Sequence, residues 1–504
     1  MHLLQPQLHS RRAFLRRSAQ LAFTGAALPT ALNLAAMGEA AAFNAPSGSY
    51  KALVCVFLYG GNDYGNTLVP YDNASYNLYS TIRGGAAGQN AGGIALGRAD
   101  LTPTLLSPLP ADALPNGQQL AFHPSMTGLA SLFDQGKVAV QLNVGPLVVP
   151  MNKAQYQGSN RVLYPLPPKL FSHNDQQSIW QSSSPEGSTI GWGGNMGDLA
   201  LASNGSGSLF TCISITGNAV FLAGDTALSY QVGSGGAVKI NSVNDNSTYG
   251  SSFIKAAMLN LTQQTRSHVL ENEYNTVTRR AITAQSTVTT GITTGRAVGT
   301  GPEFAAFTPA VLSGNSLAAQ LKMVARLIEA RGTLNTRRQV YFVSLGGFDL
   351  HDNLITDHAR NMKRVSEAMT AFYQTTAALG VDQNVTAFTA SDFGRTLSSN
   401  GDGTDHGWGS HHMVVGGAVQ GKKFYGYAPP VGAGNTATPV DAWHVGQGRL
   451  LPTTSVDQYA ATLATWFGVD ASDLTGILPN ITNFGGSANG INYPVNIGFL
   501  PPPI

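Results

Sequence analysis

Residues 389–412, TASDFGRTLSSNGDGTDHGWGSHH, gather three aspartates, three histidines and one arginine among glycines and serines. Carboxylates and imidazoles ligate divalent cations, glycine lets the backbone approach a ligand, and a guanidinium can clasp an oxyanion through its planar fork. Asp392 is accordingly read as a metal ligand, and Arg395 as the group that holds a substrate oxygen. Two other segments carry the same chemistry: GGND at 60–63 offers Asp63, and GGFDLH at 346–351 offers Asp349 and His351. The candidate nucleophile is Ser172, in FSHND at 171–175. It opens a helix-like segment, where the helix end favours an anionic ester group and a nearby cation would lower the hydroxyl pKa.

These residues need a scaffold that brings distant segments together. KALVCVFLY at 51–59, RQVYFVSL at 338–345 and NVTAFTA at 384–390 are apolar runs of the kind that form strands buried on both faces. Each aspartate follows the end of one run. Leu317, Leu321, Val324 and Ile328 recur at helical spacing within 316–331, and a second helix is expected over 355–379, which gives β-α-β order. Strands joined by helices run parallel, so their carboxyl ends share one sheet edge, where open α/β sheets keep their sites. Asp63, Asp349, His351, Asp392 and His406 are therefore expected in one pocket.

Each residue also has a structural reading. Asp63 after Gly-Gly-Asn suits a turn, Asp349 and Asp392 suit helix caps, Ser172 with Asp175 resembles a capping box, and Arg395 suits a salt bridge. His411 and His412 open a strand-like run on which at most one faces the site. His123 and His358 read as supporting or surface residues.

SRRAFLR at 10–16, an Ala/Leu-rich stretch and Ala40-Ala41-Ala42 together read as a twin-arginine signal comprising residues 1–42, and imply a periplasmic or secreted protein. Removing it takes away Arg11, Arg12, Arg16 and Arg17 against only Glu39 and leaves the chain near neutral. With 11% charged residues there is no electrostatic reason to expect nucleic acid as a partner. No later apolar run reaches the roughly 20 residues of a bilayer-spanning helix. Residues 43–504 are expected to form one large domain, with a Gly/Ser-rich β insertion at about 184–314. Cys55 and Cys212 are the only cysteines; an oxidising compartment permits a disulfide, while their apolar surroundings favour simple packing.

GGND, the Ser-His pair at 172–173, GGFD-x-H, S-D-FGRT and TDHG-x-G occur in an order that resembles the bacterial exported family called domain of unknown function fifteen-oh-one, related to the alkaline phosphatase and sulfatase superfamily. The resemblance implies an alkaline-phosphatase-like three-layer α/β/α sandwich and a metal-dependent site for phosphate or sulfate esters, with Asp63, Asp349, His351 and Asp392 as metal ligands and His406 as the closing histidine. The cofactor would be a divalent metal such as zinc, manganese, calcium or magnesium, and the substrate a small or polymeric ester. The alternative is a catalytically degenerate module that binds an envelope polymer or a partner protein. One departure bears on this choice: relatives in the superfamily carry Asp-His where this chain has Asp392-Phe393.

Overall fold

A computed structural model describes residues 49–502 apart from 86–92, 241–242, 244–249 and 437. The signal at 1–42 lies outside the described residues.

The strands are β1 (Lys51–Leu58), β2 (Leu68–Pro70), β3 (Leu120–Phe122), β4 (Val138–Gly145), β5 (Cys212–Ser214), β6 (Ser229–Gly233), β7 (Gly236–Ala237), β8 (Arg338–Leu345), β9 (Val385–Ser391), β10 (Ser410–Gly416), β11 (Lys423–Tyr425) and β12 (Thr454–Ser455). A central sheet runs β11-β4-β10-β9-β1-β8-β5-β6-β7, with β12 beside β4, while β2 and β3 form a separate two-stranded antiparallel sheet. Pairing is parallel except for β10, which is antiparallel to β4 and β9, and β7, which is antiparallel to β6. The three strands singled out in the sequence are immediate neighbours, β9-β1-β8.

The apolar runs follow from burial on both faces. Along β1, Ala52, Val54, Val56 and Leu58 enter one core, and Leu53, Cys55 and Phe57 the other. The helices that cover these faces are α1 (Thr127–Asp134), α2 (His173–Ser182), α3 (Trp192–Asn204), α4 (Ser316–Glu329), α5 (Leu354–Ala378) and α6 (Val456–Phe467). The first core takes residues from α1, α4 and α5, the second from α2, α3 and α6. Each buried aliphatic side chain is worth on the order of 1.5–3 kcal/mol. A register slip in β1 would exchange the two sets of side chains, so the packing pins the level at which the strand ends. On α4, Leu317, Leu321, Val324 and Ile328 are all buried, and the Asn315 side chain caps the helix by accepting from Ala318 N at 3.1 Å.

Residues 184–314 are a β insertion only in part. They supply α3 and extend the central sheet through β5, β6 and β7, and the stretch 252–289, which reads as helical in the sequence, carries the helices Ser252–Gln263 and Val269–Ile292. Of the short strands there, β5 pairs with β8, and β6 and β7 add to β5 in turn. Cys55 and Cys212 are free and buried, on β1 and β5, with β8 between them. Two strand spacings of about 4.8 Å exceed the Cα separation a disulfide spans. Among the described residues no helix is long and apolar enough to cross a membrane.

Candidate metal centre

The loops after β1, β8 and β9 meet because their strands are adjacent and parallel. Gly60 permits one close approach: at φ +117° it adopts a backbone that L side chains rarely take, and a Cβ there would lie 2.3 Å from Asp349 N. The segment after β9 folds back on itself. Gly394 N donates to Trp408 O at 2.9 Å, Thr396 N to Asp405 O at 2.9 Å, and Arg395 forms a bridge with His406. That turn delivers His406 to the loop carrying Asp349.

Three groups converge there. His173 Nε2 is 3.1 Å from His406 Nε2 and 3.3 Å from Asp349 Oδ2, and His406 Nε2 is 3.2 Å from Asp349 Oδ1. A tetrahedral ion with bonds of about 2.0–2.1 Å separates its ligand atoms by about 3.3 Å; the two imidazole nitrogens stand near that spacing, and each lies beside a different oxygen of Asp349. His351 Nε2 adjoins the trio at 3.0 Å from His406 Nε2 and 3.1 Å from Asp349 Oδ1. The side chains of Asp349 and His351 are 44% and 46% exposed, so one side of the cluster is open to solvent.

The rings are held from behind. His173 Nδ1 contacts Asp392 Oδ2 at 2.7 Å, and His406 Nδ1 contacts the Phe171 carbonyl at 2.8 Å. An acceptor at Nδ1 fixes the tautomer that leaves Nε2 free to ligate, the arrangement that supports metal-bound histidines. Asp392 Oδ2 also accepts from Gln177 Nε2 at 2.8 Å and Gly60 N at 3.2 Å. The hydrogen bond to Asp392 raises the His173 pKa against the effect of burial, aided by the charges of Asp392 and Asp349. Burial lowers that of His406, partly offset by the Phe171 carbonyl. For Asp349 burial pushes upward, but the Arg395 hydrogen bond and charge, then His173 and His351, hold the carboxyl below its ordinary value. Two imidazoles, one carboxylate and an open side are a donor set that could hold a zinc-like ion; calcium and magnesium prefer oxygen-rich sites.

The residues named from sequence divide accordingly. Asp349, His351 and His406 come together directly. Asp392 belongs to the centre but stands behind His173, with no contact to the other converging atoms. Asp63 lies at the expected sheet edge, yet Arg83 holds both its oxygens, Nη2 to Oδ1 at 2.6 Å and Nη1 to Oδ2 at 2.9 Å. It also caps the turn Tyr64–Thr67 by accepting from Asn66 N at 3.2 Å, so its turn-and-cap reading describes the structure. Arg395 is not placed as an oxyanion clamp. It is 0% exposed, and it donates to Asp349 Oδ1 at 2.8 Å, Gly60 O at 3.0 Å, Thr404 Oγ1 at 2.9 Å and the Thr404 carbonyl, tying the strand-end loops together. Ser172 precedes α2, and its hydroxyl donates to Asp175 Oδ2 at 3.0 Å rather than capping the helix backbone.

Sequence reasoning passed over His173, although His173 and Gln177, one turn apart on α2, both reach Asp392. Phe393, which stands where a histidine ligand was expected, packs its ring 4.8 Å from that of His173 and 4.7 Å from that of His406. His411 and His412 are both buried, with His411 Nδ1 accepting from Asn143 N at 3.0 Å. His123 and His358 are buried neighbours at a ring separation of 5.6 Å, and burial is the largest factor pushing their pKa values down, to about 3 and about 4.

Comparison with curated proteins and with solved structures returned no match. The family described as "Protein of unknown function (DUF1501)" matches residues 50–478, a span that runs from the residue before β1 past α6 and includes every residue of the centre. The chain belongs to that family.

Proposed function

We propose that this chain is an exported, metal-dependent hydrolase of phosphate or sulfate esters with an alkaline-phosphatase-like architecture. The convergence of His173, His406 and Asp349, each with a ligand atom within 4.8 Å of the others and beside an open face, carries this reading. Their nitrogen-rich donor set favours zinc over calcium or magnesium. A divalent cation bound there supplies Lewis acidity that neutralises ester oxygens and eases deprotonation of a hydroxyl.

The chain's own groups then have distinct tasks. Ser172 would offer its oxygen to the phosphorus or sulfur as the ester's P–O or S–O bond breaks and the alcohol leaves, and Asp175, its hydrogen-bond acceptor, would take the hydroxyl proton. The N-terminus of α2 favours the anionic group under attack. Arg395 keeps Asp349 aimed, and Asp392 keeps His173 in the required tautomer. A second reading, a degenerate module that binds an envelope polymer or partner protein without turnover, draws support from Phe393 and from the committed donors of Arg395.

The deciding experiment strips the purified protein with chelator, reloads it with zinc, manganese, calcium or magnesium, and measures both metal content and turnover of 4-nitrophenyl phosphate and sulfate. Near-stoichiometric zinc and turnover are expected, with Ser172→Ala retaining the metal and losing turnover. Absence of both from the wild-type protein would leave the binding module. Export is tested separately: N-terminal sequencing of protein recovered outside the cytoplasm should begin at Phe43, and an intact Met1 start there would remove the signal reading.

A further inference from the structure

With Arg395 occupied, the cleft needs another cation if its ligand is anionic. Arg449 meets the description. Its Nε donates to the His406 carbonyl at 2.7 Å, and its guanidinium carbon lies 5.6 Å from the Phe171 ring centroid. Both residues belong to the wall of the metal centre, because the Phe171 carbonyl accepts from His406 Nδ1. The contact through Nε fixes the plane of the fork and leaves Nη1 and Nη2 without a hydrogen-bond or ion-pair partner among the described residues.

The neighbouring cations differ. Arg83 is fully buried against Asp63, and Lys169 is 68% exposed with its amine 3.5 Å from Asp175. The nearby Asp405 carboxylate is engaged by Asn400 Nδ2 at 3.0 Å and lies 3.6 Å from His351 Nδ1. Arg449 is partly buried, and burial lowers its pKa against the opposing influence of Asp405 and Tyr156. A purely structural anchor for the His406 carbonyl needs one donor. A fixed guanidinium on an aromatic face, with two further nitrogens unclaimed, is instead suited to the paired oxygens of a phosphate, sulfate or carboxylate.

We propose that Arg449 is the anion-recognition residue of this cleft, so that its ligands are negatively charged esters and their anionic products, in preference to neutral esters. Its enzymatic arm rests on the ester-hydrolase reading; its binding arm does not.

The binding arm titrates inorganic phosphate calorimetrically into the zinc-reloaded full-length mature chain and its Arg449→Gln variant. The variant should bind about tenfold or more weakly, with Arg449→Lys intermediate because a point charge replaces the fork. Equal affinities in wild type and variant, or no phosphate binding by the wild type, would overturn the proposal. The enzymatic arm compares 4-nitrophenyl phosphate with neutral 4-nitrophenyl acetate. Arg449→Gln should raise KM for the anionic ester and leave the neutral one unchanged at equal zinc content. Parallel losses on both esters, or lost zinc or thermal stability, would make Arg449 a structural anchor and sink the idea. If the wild type hydrolyses no ester, the hydrolase reading falls, while the phosphate titration still decides Arg449.

Discussion

Replacing His173 by alanine is expected to abolish near-stoichiometric metal binding and reduce ester turnover to background, while the protein stays folded. His173 Nε2 is one of the three converging ligand atoms, and its ring is partly exposed at the start of α2, so truncation leaves the central sheet intact. Asp392→Asn should give a graded version of this result. Asparagine can still accept from His173 Nδ1 but loses the carboxylate charge, and disruption behind a ligating histidine typically weakens metal binding about 10–100-fold. Competition against a chelator of known zinc affinity separates the two variants, and circular dichroism checks the fold. Full zinc content in His173→Ala would end the assignment of the metal centre. If Asp392 were itself a ligand, Asp392→Asn would lose zinc as completely as His173→Ala.

The second large effect belongs to stability. Arg83→Ala is expected to destabilise the chain by about 3–5 kcal/mol, the usual consequence of leaving a buried carboxylate without its partner. Asp63 and Arg83 are both 0% exposed, and Arg83 Nη1 also donates to Asn66 Oδ1 at 3.1 Å, so truncation takes the charged donor from two buried acceptors at once. The paired change Asp63→Leu with Arg83→Met should recover most of the loss, because it removes both desolvated charges. Urea unfolding of the three proteins measures this, and an Arg83→Ala midpoint equal to wild type would refute it. The pair also predicts acid sensitivity. Burial alone would raise the Asp63 pKa, but Arg83, then His358, brings it below the ordinary carboxylate value. A lowered folded-state pKa contributes stability above the unfolded value of about 4, and that contribution is lost as the pH falls through the folded one.

Several features were legible in sequence for plain physical reasons. The runs at 51–59, 338–345 and 384–390 became β1, β8 and β9 because continuous apolar stretches can be satisfied only by burial on both faces. The helix expected over 355–379 is Leu354–Ala378, since its period is set locally along one chain segment. Parallel pairing of these strands then placed Asp349, His351 and Asp392 at one edge, and the chemical types of those residues marked that edge as the place to look.

What each side chain does there was decided by tertiary contacts. Asp63 and Asp392 both follow apolar strands, and nothing local distinguishes them; Arg83, 20 residues along the chain from Asp63, claims the first, while His173, 219 residues from Asp392, contacts the second. Arg395 reads as a clamp until its donors are counted against Asp349, Gly60 and Thr404. The short strands β5, β6 and β7 carry little periodicity; β5 adds to the edge of β8, and β6 and β7 follow it in turn. Residue type and local period set the strands, the helices and the chemistry available, whereas the partner each polar group finds depends on which distant segment packing brings within about 3 Å.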